Sequence, residues 1–139
     1  MIVIHHNPDC GTSRNVLSLI EAAGYAPEVI LYLETGWTRP QLLGLFAAAD
    51  LTPRAALRIT KSPAEALGLL DPSVGDEALL AAMLEHPVLV NRPLVCSPKG
   101  VRLCRPSEFV LDLLDRWPGG PVYKEDGEMI LDALGHRVV

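Results

Sequence analysis

The chain opens with a strand that hands directly to a helix across a cysteine loop. Met1 to Ile4 is a short apolar run, and His5-His6-Asn7-Pro8-Asp9-Cys10-Gly11-Thr12-Ser13-Arg14 follows it. Val16, Leu19, Ile20 and Ala23 then recur at helical spacing, which predicts a first strand over 2–5 and a first helix over about 13–23. Gly24 reads as the helix stop, and Pro27 prevents its continuation. Val29-Ile30-Leu31-Tyr32-Leu33 is apolar almost throughout, as a buried parallel strand is. A strand–helix–strand opening of this kind is normally a right-handed parallel crossover.

The loop itself favours a particular chemistry. Unpaired backbone N–H groups at a helix start stabilise an anion, and they stabilise a thiolate over a thiol. Gly11 permits close approach to the backbone, and Thr12 and Ser13 are good helix-start residues. Arg14 can supply positive charge, and His6 lies four residues before Cys10. Asp9 works the other way unless it points to solvent, because a neighbouring carboxylate raises a thiol pKa. A buried cysteine is more often an apolar packing residue than a nucleophile, so the case depends on these neighbours.

Further on, Thr38-Arg39-Pro40-Gln41 is a capping box opening a helix that buries Leu42, Leu45 and Phe46. A helical region is expected from Thr52 to about Leu84, broken by Pro53, Ser62-Pro63-Ala64-Glu65 (a second capping box), Gly68 and Gly75. Val88-Leu89-Val90 reads as a short strand after His86-Pro87. Leu94–Ser97 and Val101–Cys104 flank Pro98-Lys99-Gly100, the signature of an antiparallel hairpin. Arg105-Pro106-Ser107 should open a helix burying Phe109, Val110, Leu113 and Leu114. After the Trp117-Pro118-Gly119-Gly120-Pro121 hinge, residues about 124–134 read as a charged terminal helix.

This order points to an α/β, thioredoxin-like mixed sheet flanked by helices, with a helical insertion at about 38–85 between its halves. At 139 residues, one domain is expected, with a tail over about 117–139. In such folds a proline, usually cis, precedes the hairpin strand near the cysteine, and Pro93 occupies that place.

Net charge of −5 argues against nucleic acid or an anionic membrane as partner, while leaving room for a local basic site. No apolar run reaches the roughly 20 residues of a membrane span, and no signal peptide is read at the start. Three cysteines, Cys10, Cys96 and Cys104, do not make a secreted disulfide framework, so a reducing cytoplasm is the expected location.

Three arginines complete the pattern. Arg58 follows Ala55-Ala56-Leu57, Arg92 stands between Asn91 and Pro93, and Arg105 between Cys104 and Pro106. Singly, each reads as a solvated or salt-bridging side chain. Together they would bind a tetrahedral oxyanion, since guanidinium forks match its oxygens in pairs.

His6 to Arg14, Ile30-Leu31-Tyr32-Leu33-Glu34, Leu57-Arg58, His86 to Pro93 and Arg102 to Glu108 resemble, in order and spacing, the blocks of the glutaredoxin-coupled arsenate reductase family. Lys124-Glu125-Asp126-Gly127-Glu128 resembles its C-terminal signature. The resemblance spans essentially the whole chain. It implies reduction of arsenate to arsenite, with glutathione as co-substrate, glutaredoxin as partner and no bound cofactor. By position it makes Cys10 the nucleophile, with His6 lowering its pKa and Ser13 interacting with the thiolate. Arg58, Arg92 and Arg105 then bind the oxyanion, aided by Gly11, Thr12 and Arg14 at the loop. His5 and Asp9 are local differences that could shift the Cys10 pKa.

The residues themselves limit the alternatives. Cys10-Gly11-Thr12-Ser13 is a monothiol C-x-x-S, without a local resolving cysteine. Cys96 and Cys104 read as packing residues of the hairpin. A phosphatase-type loop would need arginine six residues after the cysteine, where Val16 stands. A zinc site from His5, His6 and Cys10 lacks a convincing fourth ligand, so no metal is expected. A redox regulator on the same fold would be expected to carry C-x-x-C and to lack the arginines. A glutathione-dependent thiol reductase that does not use arsenate shares the same loop requirements.

Overall fold

A computed structural model describes all residues, 1–139. Its main sheet has four strands: β1 (Val3–His5), β2 (Glu28–Ile30), β3 (Leu94–Ser97) and β4 (Gly100–Leu103), in the order β2-β1-β3-β4. β1 and β2 are parallel, joined through α1 (Gly11–Ala22); β1–β3 and β3–β4 are antiparallel. Ser97 faces Gly100 across the Pro98-Lys99 turn, as the turn residues predict.

The sheet separates two apolar layers. Side-chain alternation sends Ile2, Ile4 and Val95 to one face, where they pack with Val16, Leu19 and Ile20 of α1 and with Val110 and Leu111. Leu94 points to the other face, onto the inserted region. That region contains α3 (Arg39–Ala49) and α4 (Asp76–Glu85), whose Leu42, Phe46, Leu79 and Met83 fill the second layer. Thr38 and Gln41 form both halves of the expected capping box at α3. Gly24 ends α1 with φ +90°. The mixed sheet with helical cover and a central insertion is the expected thioredoxin-like arrangement.

Several elements differ from expectation. The apolar run 29–33 is not one buried strand. β2 is an edge strand with Glu28 and Val29 exposed, and it ends at Ile30 because β1 leaves the sheet at His6. The His6 N–H makes the last bond, 2.8 Å to the Ile30 carbonyl, and the chain then turns into α2 (Tyr32–Thr35). Residues 88–90 are also not a strand. Pro87–Leu89 is a 3-10 turn, and only Val90 bridges, to Leu57.

Between 52 and 75 no helix forms. The Ser62 hydroxyl takes the Ala64 N–H, not that of Glu65, so no capping box closes. The turn carbonyls are satisfied from elsewhere: the Arg54 guanidinium donates to those of Leu69, Asp71 and Val74 at 2.5, 3.0 and 2.9 Å. Ser107–Leu113 is 3-10 in place of α-helix, and Phe109 lies half-buried beneath the Arg102 guanidinium.

The tail does not form a helix. β5 (Val122–Tyr123) and β6 (Met129–Leu131) make an antiparallel hairpin. Asp126-Gly127 is its turn signal: Gly127 has φ +93°, and the Lys124 N–H donates to the Glu128 carbonyl at 2.8 Å. Ile130 and Leu131 are fully buried against α1 and its neighbours. No helix is long and apolar enough to cross a membrane.

Candidate active site

α1 begins two residues earlier than its periodicity suggests, so Cys10 itself is the N-cap, with extended backbone (φ −104°, ψ 121°). Gly11, Thr12 and Ser13 supply the first-turn N–H groups, which have no partner carbonyl within the helix. Cys10 is 6% exposed. Burial is the largest influence on its thiol and pushes the pKa up. The Ser13 N–H, the Arg92 charge and Arg105 outweigh that, and the net shift is down from the ordinary value. Asp9 is exposed, and its N–H donates to Asn7 Oδ1 at 3.0 Å.

His6 is buried beside the loop. Burial first, and then Arg14, push its pKa down, so the ring is neutral near pH 7. Its Nδ1 lies 2.6 Å from Ser13 Oγ, and that oxygen also accepts the Asn7 N–H at 3.1 Å. Ser13 Oγ therefore links the His6 ring to the Asn7 backbone. Ser13 reaches the thiolate through its backbone N–H and fixes the loop through its side chain.

The three arginines do converge. Arg105 Nη1 donates to Cys10 Sγ at 3.7 Å and to the Arg92 carbonyl at 3.1 Å. Arg92 follows the Val90 bridge to Leu57, and Arg58 comes next on that partner segment, so one pairing brings both to the site. Arg58 and Arg92 are buried. Arg58 Nε donates to the Thr60 carbonyl at 2.9 Å, and its outer nitrogens make no hydrogen bond to the protein. Burial, and then the like charge of Arg92, lower its pKa. Such crowding of guanidiniums beside a thiolate suits an oxyanion. The Arg92–Pro93 peptide bond is cis, as is Arg105–Pro106.

Arg14 stands apart from this cluster. Its Nε and Nη2 hold both carboxylate oxygens of Glu125 at 2.7 and 2.9 Å, and its Nη1 holds the Pro8 carbonyl. Gly11 is not required sterically by the protein: a Cβ there would meet Glu125 and Arg14 at 3.6 and 3.7 Å, ordinary contact distances. The Thr12 carbonyl accepts from Ser107 Oγ at 3.4 Å, which ties the helix start to the Arg105 segment. His5 faces away, its ring 5.2 Å from that of Trp37, and no group of three His, Cys, Asp or Glu side chains is gathered here.

Glu125 and Lys124 reach the site because the tail is a hairpin and not the helix that its charges suggest. Lys124 Nζ lies 2.9 Å from Glu108 and 2.5 Å from Glu128 of its own hairpin, so the Glu108 contact pins the tail to the segment that follows Arg105.

Known proteins share this architecture. The chain is 73% identical over 138 residues to the arsenate reductase ArsI2 of Synechocystis sp., covering 99% of each. It is 48% identical over 137 residues to an arsenate reductase of Escherichia coli, covering 99% of this chain and 97% of that one. Among solved structures, an arsenate reductase from Vibrio cholerae superposes with a TM-score of 0.76 at 43% identity, covering 81% of this chain and 97% of its own. The ArsC family matches residues 5–113, from β1 through the Ser107–Leu113 turn, and with every element of the site but the tail inside that match the chain belongs to the ArsC family.

Proposed function

We propose that this chain reduces arsenate to arsenite through a Cys10 thiol–arsenate adduct, with glutathione and a glutaredoxin supplying the electrons, in the service of arsenic detoxification. One observation carries the reading: a buried thiol of lowered pKa lies 3.7 Å from Arg105, in the field of Arg92 and beside Arg58. Near relatives named as arsenate reductases support the choice of oxyanion.

In this cycle the Cys10 thiolate attacks arsenic. One arsenic–oxygen bond breaks, and that oxygen takes a proton and leaves as water, with no change of oxidation state. Arg58, Arg92 and Arg105 hold the remaining oxygens and the charge that develops on them. Glutathione then attacks the adduct, the sulfur–arsenic electron pair passes to arsenic, and glutaredoxin removes the glutathione. Two thiols are oxidised to one disulfide, and pentavalent arsenic becomes trivalent. Cys10-Gly11-Thr12-Ser13 offers no second thiol at the helix start, so the electrons come from outside the chain. The cycle uses no bound metal, flavin or nicotinamide, and a reducing cytoplasm supplies its thiols. The test is arsenite formation by the pure protein with arsenate, glutathione and glutaredoxin. Formation no faster than that of Cys10→Ser refutes the proposal.

A further inference from the structure

One buried polar group beside the thiol has no task in this account. Tyr32 opens α2, two residues past the end of β2 at Ile30. It is 1% exposed, and its ring stacks on Trp37 with centroids 5.0 Å apart. Its hydroxyl is buried, and its proton has no acceptor within hydrogen-bond distance. The charges that act on that hydroxyl are those of Arg92, Arg58 and Cys10, and the Asn7 side-chain amide acts on its oxygen as a donor, which leaves the phenolic proton unplaced. Arg92 Nε is likewise buried without a partner. Buried donors are seldom left unpaired in folded proteins, and two such donors here share one neighbourhood with the sulfur. Arginines only donate, so the phenolic proton must find its acceptor in another group.

We propose that Tyr32 is a substrate-binding residue, its neutral hydroxyl donating a hydrogen bond to an oxygen of the tetrahedral oxyanion that Arg58, Arg92 and Arg105 hold against Cys10. This rests on the proposed function for the identity of the oxyanion as arsenate. The stack on Trp37, itself packed on His5, fixes the ring, so the donor is oriented before substrate arrives. Burial raises the Tyr32 pKa above its ordinary value, which keeps the proton on the oxygen throughout the neutral range. A fourth donor without charge adds directionality where a fourth cation would add repulsion.

Tyr32→Phe tests this, because it keeps the ring and its stacking and removes only the oxygen. Two readouts are needed: the arsenate concentration that half-protects Cys10 from iodoacetamide in the absence of glutathione, and the melting temperature. The variant should need about tenfold to a hundredfold more arsenate, with kcat/KM falling by a similar factor. Its melting temperature should hold or rise, since a buried donor without an acceptor is being deleted. Unchanged protection overturns the proposal whatever the melting temperature does. Weaker protection together with a lowered melting temperature also overturns it, by making the hydroxyl a structural partner. A wild-type protein that arsenate protects but that forms no arsenite refutes the proposed function alone, and the protection ratio still decides Tyr32. Arsenate that fails to protect the wild-type thiol overturns both.

Discussion

The Arg105 guanidinium holds Cys10 and Arg92 at once, through one nitrogen: 3.7 Å to the sulfur and 3.1 Å to the carbonyl oxygen. The carbonyl anchors the arginine, and the anchored charge favours the thiolate. Arg105→Ala should therefore raise the Cys10 pKa toward the free-thiol value of about 8.5, from a wild-type midpoint below it. Iodoacetamide rate against pH measures both, with Cys10→Ser as background. Arg105→Lys should fall between them, since a point charge survives without the fork. A wild-type midpoint at or above 8.5 would refute an activated thiolate.

Arg58 should matter to turnover more than to the thiol, whereas Arg92, whose charge also favours the thiolate, should matter to both. Each Arg→Ala change removes charge-assisted hydrogen bonds worth roughly 1.5–3 kcal/mol, or about tenfold to a few hundredfold in kcat/KM for arsenate. Arg58 also holds the Thr60 carbonyl, so its alanine variant should lose about 1 kcal/mol of stability as well. Kinetics at saturating glutathione and glutaredoxin, alongside urea unfolding, separate the two effects. Near wild-type efficiency in both variants would remove the oxyanion clamp.

What could be read in advance was local. The Cys10 loop, the Thr38–Gln41 capping box and the Pro98-Lys99 turn are each written in adjacent residues, and each formed. What could not be read depends on partners distant in the chain. Arg14 meets Glu125 across 111 positions, and that pairing engages two nitrogens of a loop cation. Tyr32 lay inside an apolar run whose strand was expected to continue, and only the departure of β1 at His6 shows that it turns inward. Asp126-Gly127 is a hairpin signal set among charges that also suit a helix surface, and the structure follows the turn. The neutral state of His6 follows from burial, which spacing does not reveal.

The tail should contribute to stability through Lys124, not through Glu125. Lys124 and Glu108 are both largely buried, at 13% and 10% side-chain exposure, whereas Arg14 and Glu125 are about half exposed. Lys124→Met leaves the Glu108 carboxylate without its cation and should cost about 2–3 kcal/mol. Glu125→Gln should leave the melting temperature nearly unchanged. Urea unfolding of the two variants checks the contrast, and equal effects would contradict it.

His5 should shape acid stability. Burial against Trp37 lowers its pKa from 6.5 to about 4, so the folded state keeps the ring neutral while the unfolded chain takes up a proton. Its contribution is complete above pH 6.5 and is lost as pH falls from 6.5 toward 4, at up to about 1.4 kcal/mol per pH unit. His6, lowered in the same direction, adds to the slope. His5→Phe keeps a ring on Trp37 and should flatten this limb without abolishing it. An unaltered slope in unfolding free energy against pH would contradict the assignment.

Cys96 and Cys104 should be dispensable for turnover. They face opposite layers, Cys96 packing with the inserted region and Cys104 with α1 and its neighbours. Burial raises both pKa values, that of Cys104 to about 12. At that value roughly one Cys104 in 10^5 is thiolate at pH 7, too few to resolve a disulfide at a useful rate. Cys96→Ala and Cys104→Ala should keep kcat/KM for arsenate within a few fold, with Cys104→Ala costing about 1 kcal/mol of stability through lost packing. Cys10→Ser should abolish turnover. If either alanine variant were as inactive as Cys10→Ser while still folded, the second electron pair would pass through an internal thiol, and the monothiol cycle would have to be replaced by one with a rearranged hairpin.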